Sequence, residues 1–200
     1  DSTKYGYKLG GSMYGMDMLI PDAPLDINES KMSVVVPFAS GERRDGVGDL
    51  LEIGGIRTER HRKNPLILFD HGKVVQLPIG LAEDRDTKAY TVSLDPIAKS
   101  ATAESFFYQG TGLSSIDRRK EYDHALFCEQ LYHMTAQRFM RGGSIGYQVV
   151  KAINLQPDYE KGLPPGLHLL VVNMLEASLV VLPANQDTVR KMLAMPTVCG

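Results

Sequence analysis

Three polar side chains stand where the surrounding apolar pattern calls for burial: His71, Ser144 and Glu176. Ser144 lies in Phe139-Met140-Arg141-Gly142-Gly143-Ser144-Ile145-Gly146-Tyr147-Gln148-Val149-Val150, where a long helical pattern stops at two glycines and a strand begins. Strand side chains alternate faces, so Ile145, Tyr147 and Val149 can pack inward together while Ser144 faces the other way beside Gly146. A hydroxyl flanked by glycines has the open space a nucleophile needs. The same residues also fit a helix-stop glycine pair followed by an ordinary strand serine.

Glu176 sits inside Val171-Val172-Asn173-Met174-Leu175-Glu176-Ala177-Ser178-Leu179-Val180-Val181. A lone carboxylate in such a run costs several kcal/mol if dry and unpaired, so it needs a partner, unless the strand is an edge and the carboxylate faces water. By alternation Glu176 and Ser178 share one face, with Leu175, Ala177 and Leu179 packing on the other. His71 ends the apolar run Leu66-Ile67-Leu68-Phe69-Asp70-His71-Gly72. Adjacent strand residues point to opposite faces, so Asp70 is badly placed to orient it, and Glu176 fits that need. Together the three supply a nucleophile, a base that takes the Ser144 proton, and an acid that holds the imidazole tautomer. A strand-to-helix turn at Ala184-Asn185 would offer backbone N–H groups as an oxyanion hole.

The other histidines point less clearly to chemistry. His124 and His133 stand nine positions apart on one helical pattern and miss the spacing of a helical metal pair. His61 lies in the basic stretch Arg57 to Lys63, which reads as a solvated face, and His168 enters a strand. No Cys/His cluster has zinc spacing, so neither metal nor cofactor is expected. The net charge of −2 gives no electrostatic case for nucleic acid or a membrane surface. The apolar runs stop well short of the ~18 residues of a membrane helix. Cys128 falls on the apolar face of a helix as a buried thiol and Cys199 is next to the last residue, which favours a reducing compartment. The chain opens on Asp1 without a signal-peptide pattern, and the expectation is a processed precursor or a shortened chain.

The elements that must position the three groups follow from local pattern. Residues 1–30 read as an irregular arm of tyrosines, glycines and methionines. Met32 to Phe38 reads as a strand, Ser40 to Gly48 as a polar loop, and Leu50 to Arg62 is ambiguous. Leu66 to Phe69 reads as a buried strand. Val74 to Leu81 and Lys88 to Leu94 read as two strands around a turn at Glu83-Asp84-Arg85-Asp86. Asp95-Pro96 predicts a helix start running to Phe106 or Phe107. Ser114 or Ser115 caps the longest helix, Ile116 to about Met140, with Ala125, Cys128, Tyr132, Thr135 and Phe139 on its apolar stripe. After the Ser144 strand come a loop from Gln156 to Gly166, a strand region from Leu167 to Leu182, and a last helix capped by Asn185. Strands outnumber helices and do not alternate with them, which predicts a mainly antiparallel sheet or barrel with helices outside, and argues against a doubly wound parallel sheet.

Three segments resemble one family. Gly143-Ser144-Ile145-Gly146-Tyr147 resembles the nucleophile segment of the tailed-phage prohead (capsid maturation) proteases. Glu176-Ala177-Ser178-Leu179-Val180-Val181-Leu182-Pro183-Ala184-Asn185 is similar to that family's E-x-S-(L/V)-V-x-x-P-A-N segment, and Phe69-Asp70-His71-Gly72 with Pro78-Ile79-Gly80 to its H…P-I-G segment. The resemblance covers roughly Val34 to Met192. It implies a protease domain over 31–195 with a tail over 196–200, His71 as general base, Ser144 as nucleophile and Glu176 as third member. It implies the antiparallel β-barrel wrapped by helices of the related herpesvirus assembly proteases, and favours Ala184 and Asn185 as oxyanion donors. It implies cleavage of scaffold or major capsid protein segments, and of the chain itself, by a homo-oligomer inside the immature capsid in the host cytoplasm. The lead-in over 1–30 and the stretch Arg57 to Lys63 depart from that pattern.

Two other readings share the residues. Gly142-Gly143-Ser144-Ile145-Gly146 satisfies the G-x-S-x-G elbow of α/β-hydrolases, but that fold needs its acid and then its histidine after the serine, and here His168 precedes Glu176. A non-catalytic capsid-assembly or scaffold component would keep the fold without needing all three groups.

Overall fold

The computed structural model describes residues 26–73, 75–110 and 118–182, with side chains described from 123 onward in the last of these segments. Ten strands of this part form one mainly β unit: β1 (Ile27–Asn28), β2 (Ser33–Ser40), β3 (Leu50–Leu51), β4 (Ile56–Arg57), β5 (Leu66–Phe69), β6 (Gly80–Leu81), β7 (Val92–Asp95), β8 (Ser100–Phe107), β9 (Gly142–Leu155) and β10 (Gly166–Val180). A short helix α1 (Glu59–Arg62) and the long helix α2 (Arg118–Ala136) accompany them. Residues 1–25 of the arm expected over 1–30, the serine caps at 114 and 115, the turn at Pro183-Ala184-Asn185, the last helix and Cys199 lie outside the described residues. The rest of that arm is not wholly irregular, since Ile27–Asn28 pairs with β2.

The strands join in the order β1-β2-β8-β6-β5-β10-β3, with β7 on β8 and both β4 and β9 on β10. This path does not return on itself, so the described strands form an open sheet and not the closed barrel expected. Pairing is also more mixed than expected. The short strands β3, β4 and β5 run parallel to β10, one after another along it, at Leu50↔His168, Ile56↔Val172 and Ala177↔Ile67. The two arms of the sheet still meet in space at Gly143, where a Cβ would overlap the Pro37 carbonyl oxygen of β2.

Val34, Val36, Ile67, Ile79, Phe107, Val172, Ala177 and Leu179 belong to one buried core together with residues from one face of α2. That face carries Cys128, Leu131, Tyr132 and Thr135, all buried, at three- and four-residue steps. Phe127 meets Phe69 edge-on at 5.6 Å, and Tyr132 meets Phe107 at 5.7 Å. No helix among the described residues is long and apolar enough to cross a membrane.

Several local expectations are corrected. Ser100–Phe107 is strand β8 and not a helix begun at Asp95-Pro96. Asp95 does cap, but its carboxylate accepts from the Ile97 and Ala98 amides in a turn joining β7 to β8. Ala101, Ala103 and Ser105 then alternate inward, the period of a strand. Of the two strands expected around Glu83 to Asp86, only the short pieces β6 and β7 and the Glu83↔Tyr90 bridge form. The turn itself is as expected, with Asp84 accepting from the Asp86 and Thr87 amides. Helix α2 ends at Ala136, before Met140, because Arg138 takes a left-handed φ of 66° and the Phe139 amide closes back on Met134. Phe139 therefore leaves the apolar stripe and is 76% exposed. The glycine pair is not a helix stop: Gly142 and Gly143 already belong to β9.

Candidate active site

Strands β9 and β10 pair antiparallel over nearly their whole length, and this pairing sets the site. Ser144 stands directly across from Ser178, and Gly146 across from Glu176. Cross-strand partners share a face, so Ser144, Gly146, Glu176 and Ser178 all open on the same side. The register shifts between Met174 and Glu176, leaving Leu175 as an extra residue, as at a β-bulge. Leu175 was expected to pack inward; it is 38% exposed, because the bulge turns it outward. Of the expected inward set on β9, Ile145 is buried and Tyr147 half-buried, while Val149 is exposed.

His71 arrives from the other flank of β10. Strand β5 runs beside it, Phe69 pairing with Leu179, and a single 3-10 turn over Asp70–Gly72 then throws the imidazole back across β10. The turn needs left-handed backbone at three consecutive residues: Asp70 (φ 45°), His71 (φ 56°) and Gly72 (φ 71°). Glycine adopts this region at no steric cost, whereas the other two hold it against their preference.

His71 Nδ1 lies 2.7 Å from Glu176 Oε1. A carboxylate only accepts, so Nδ1 carries the proton and Nε2 is left bare on the neutral ring. The hydrogen bond to Glu176, seconded by its charge, raises the His71 pKa above the ordinary value near 6.5 against the opposing effect of burial. Glu176 Oε2 accepts a short hydrogen bond from Ser178 Oγ. Gly146 matters here through what it lacks, since a Cβ at that position would overlap Glu176 Oε1.

Ser144 and His71 line one cavity of about 280 Å³ together with Phe38, Leu51, Tyr147 and Leu169. The structure thus brings the serine and the base to a common space, and the acid to the base. Ser144 Oγ and His71 Nε2 form no hydrogen bond to each other. Such contacts are often long in unliganded sites and close when substrate binds. Asp45, on the loop that the sequence marked only as polar, and Asp49, just beyond it, also line the cavity. Asp45 accepts from the Val47 and Asp49 amides, and burial raises its pKa. Nothing in the spacing of these two acids pointed to the site. Ala184 and Asn185, expected as oxyanion donors, lie outside the described residues.

The remaining candidates take structural roles. His61 was read as part of a solvated basic face; instead it is fully buried, while Arg57, Arg60, Arg62 and Lys63 around it are exposed. Its Nε2–H donates to the Leu66 carbonyl at 3.1 Å, and its Nδ1 accepts from Tyr90 O–H at 2.7 Å. Burial lowers its pKa, so it stays neutral. Cys128 is fully buried as expected, and burial pushes its thiol up to about 12, too high for a thiolate nucleophile at neutral pH. His124 bonds the Pro78 carbonyl at 2.9 Å, and His168 approaches Glu52 at 3.6 Å. Among the described residues no group of three or more His, Cys, Asp or Glu is placed to hold a metal ion. Comparison of the chain with protein-family models, with curated proteins and with solved structures gave no match.

Proposed function

We propose that this chain is a serine endopeptidase of viral capsid (prohead) maturation in which Ser144 is the nucleophile, His71 the general base and Glu176 the orienting acid. The observation that carries the reading is the 2.7 Å bond from His71 Nδ1 to Glu176 Oε1, with His71 and Ser144 on one cavity. In this reading Ser144 Oγ attacks a peptide carbonyl as its proton passes to His71 Nε2, and Glu176 stabilises the imidazolium so formed. The tetrahedral intermediate collapses, the C–N bond breaks, and the imidazolium protonates the leaving amine. Water, activated by the same imidazole, then releases the acyl group from Ser144. Backbone N–H groups at Ala184 and Asn185 are the proposed oxyanion donors.

The substrate class comes from the resemblance of the three segments to prohead proteases: scaffold and major capsid protein segments, and the chain itself. Action as a homo-oligomer inside the immature capsid in the host cytoplasm belongs to the same proposal. So does the relation to the herpesvirus assembly proteases, for which the meeting of β2 and β9 at Gly143 is the supporting feature.

A second reading, a non-catalytic assembly component, is favoured by the outer edge of β9. That strand pairs only with β10 among the described residues and exposes Val149, Val150 and Ile153, a surface suited to assembly contacts. Co-expression with the capsid and scaffold polypeptides, followed by intact-mass analysis over time, separates the two. An endopeptidase trims its partners as wild type and leaves them whole as Ser144→Ala. Equal trimming, or none, by both would favour the assembly component.

A further inference from the structure

A carboxylate that orients a histidine must itself be oriented, and a side-chain carboxylate turns easily about its last bond, whose torsional preference is broad. We infer that Ser178 is a positioning residue of this site: its hydroxyl holds Glu176 Oε2 so that Oε1 faces His71 Nδ1. The inference rests on the reading of His71 and Glu176 as base and acid.

Four observations converge on it. Ser178 is fully buried, in a strand otherwise filled by Ala177, Leu179 and Val180, where a hydroxyl without a partner would be costly. Its Oγ donates to Glu176 Oε2, and that is its one side-chain hydrogen bond among the described residues. It lies two residues beyond Glu176, past the bulge, and so on the same face of β10. It also stands directly across from Ser144, while Gly146 stands across from Glu176 and leaves Oε1 its room. The strand that bears the nucleophile therefore makes space for one carboxylate oxygen, and the strand that bears the acid ties down the other. Two cross-strand pairs on one face, with the Ile145–Ala177 pair between them, fix the nucleophile and the acid relative to each other. An alanine at 178 would fill nearly the same volume, so packing alone gives no reason for a hydroxyl there.

The test follows the His71 imidazole by NMR through a pH titration, in the full chain and in Ser178→Ala and Glu176→Gln. In the wild type the Nδ1–H proton is expected far downfield, as for an imidazole bound to a carboxylate. In Ser178→Ala that signal moves upfield or is lost to exchange, and the His71 midpoint falls toward that of Glu176→Gln. Peptide cleavage then loses roughly 10-fold in kcat, the scale of one hydrogen bond to a charged group, with KM unchanged. A serine kept only for packing would alter the melting temperature without moving the imidazole. An unchanged Nδ1–H signal and midpoint in Ser178→Ala would overturn the inference. The titration needs no turnover, so it is separable from the endopeptidase reading. If Ser144→Ala cleaved as well as wild type while Ser178→Ala still displaced the His71 midpoint, the positioning role would stand and the endopeptidase would fall.

Discussion

His71 is the side chain whose ionisation the fold most visibly tunes toward chemistry. Its pKa is raised chiefly by the hydrogen bond to Glu176, and a base must be neutral to accept a proton. The acidic limb of kcat/KM is therefore expected above the ordinary histidine value of about 6.5. Glu176→Gln should return that limb toward about 6.5 and lower kcat by up to ~10⁴-fold, as in other triads that lose the tautomer-setting acid. The same pairing enters stability with a definite sign. Because the folded pKa exceeds the unfolded one, its contribution is complete below about 6.5 and is lost as pH rises through the raised value. Chemical denaturation should show the stability gap between wild type and Glu176→Gln narrowing as the pH rises above about 6.5. A different residue tests the polar accounting of the core. Ser105 Oγ is buried and has no hydrogen-bond partner among the described residues, so Ser105→Ala should leave the melting temperature unchanged or raise it, since removing an unsatisfied hydroxyl is neutral to stabilising.

Pairs of elements, more than single ones, decide what the site can be. Gly143 lets β9 meet the Pro37 carbonyl, and Gly146 lets it accommodate the Glu176 carboxylate. Gly143→Ala should destabilise the fold by about 1–3 kcal/mol, the usual cost of overpacking, as read from denaturant midpoints. Gly146→Ala should instead displace the acid and lower the His71 pKa with a smaller loss of stability. His61 ties α1 to the body of the fold through Tyr90 and Leu66; His61→Ala should cost about 2–4 kcal/mol by leaving a cavity and two orphaned partners. These element-level facts mark what the sequence could and could not tell. The long strand around Ser144, the Leu66 to Phe69 strand and the polar anomaly of Glu176 were all legible, because each is a local pattern of apolar and polar residues. Strand β8 was misread as a helix because a genuine Asp95 cap and a proline dominated the local signal, while the alternation of Ala101, Ala103 and Ser105 is carried by small residues with little hydrophobic contrast. His61 was misread because its burial depends on Tyr90, a partner 29 positions away.

At the scale of the whole molecule, residues far apart in sequence meet through the long strand β10. On one side it takes β9 with Ser144; on the other it takes β3, β4 and β5, the last delivering His71. The choice of Glu176 as the partner of His71 came from a need for a distant acid and is matched by a direct bond across 105 positions. The left-handed turn over Asp70–Gly72 that aims the ring, the Leu175 bulge and the placement of Asp45 and Asp49 on the cavity were not legible. Register and loop closure arise from tertiary packing rather than from local composition. The open sheet was missed for the same reason, because nothing in the strand pattern states whether the last pairing closes. The central claim is that this frame makes Ser144 a nucleophile through His71, and covalent labelling tests it most directly. Treated with a fluorophosphonate, the wild-type chain is expected to gain a single adduct on Ser144, with fluoride leaving as the P–O bond forms. The rate should rise with pH through the His71 pKa and be strongly reduced in His71→Ala. A wild-type chain that stays unlabelled, or a His71→Ala chain that labels at the wild-type rate, would contradict it.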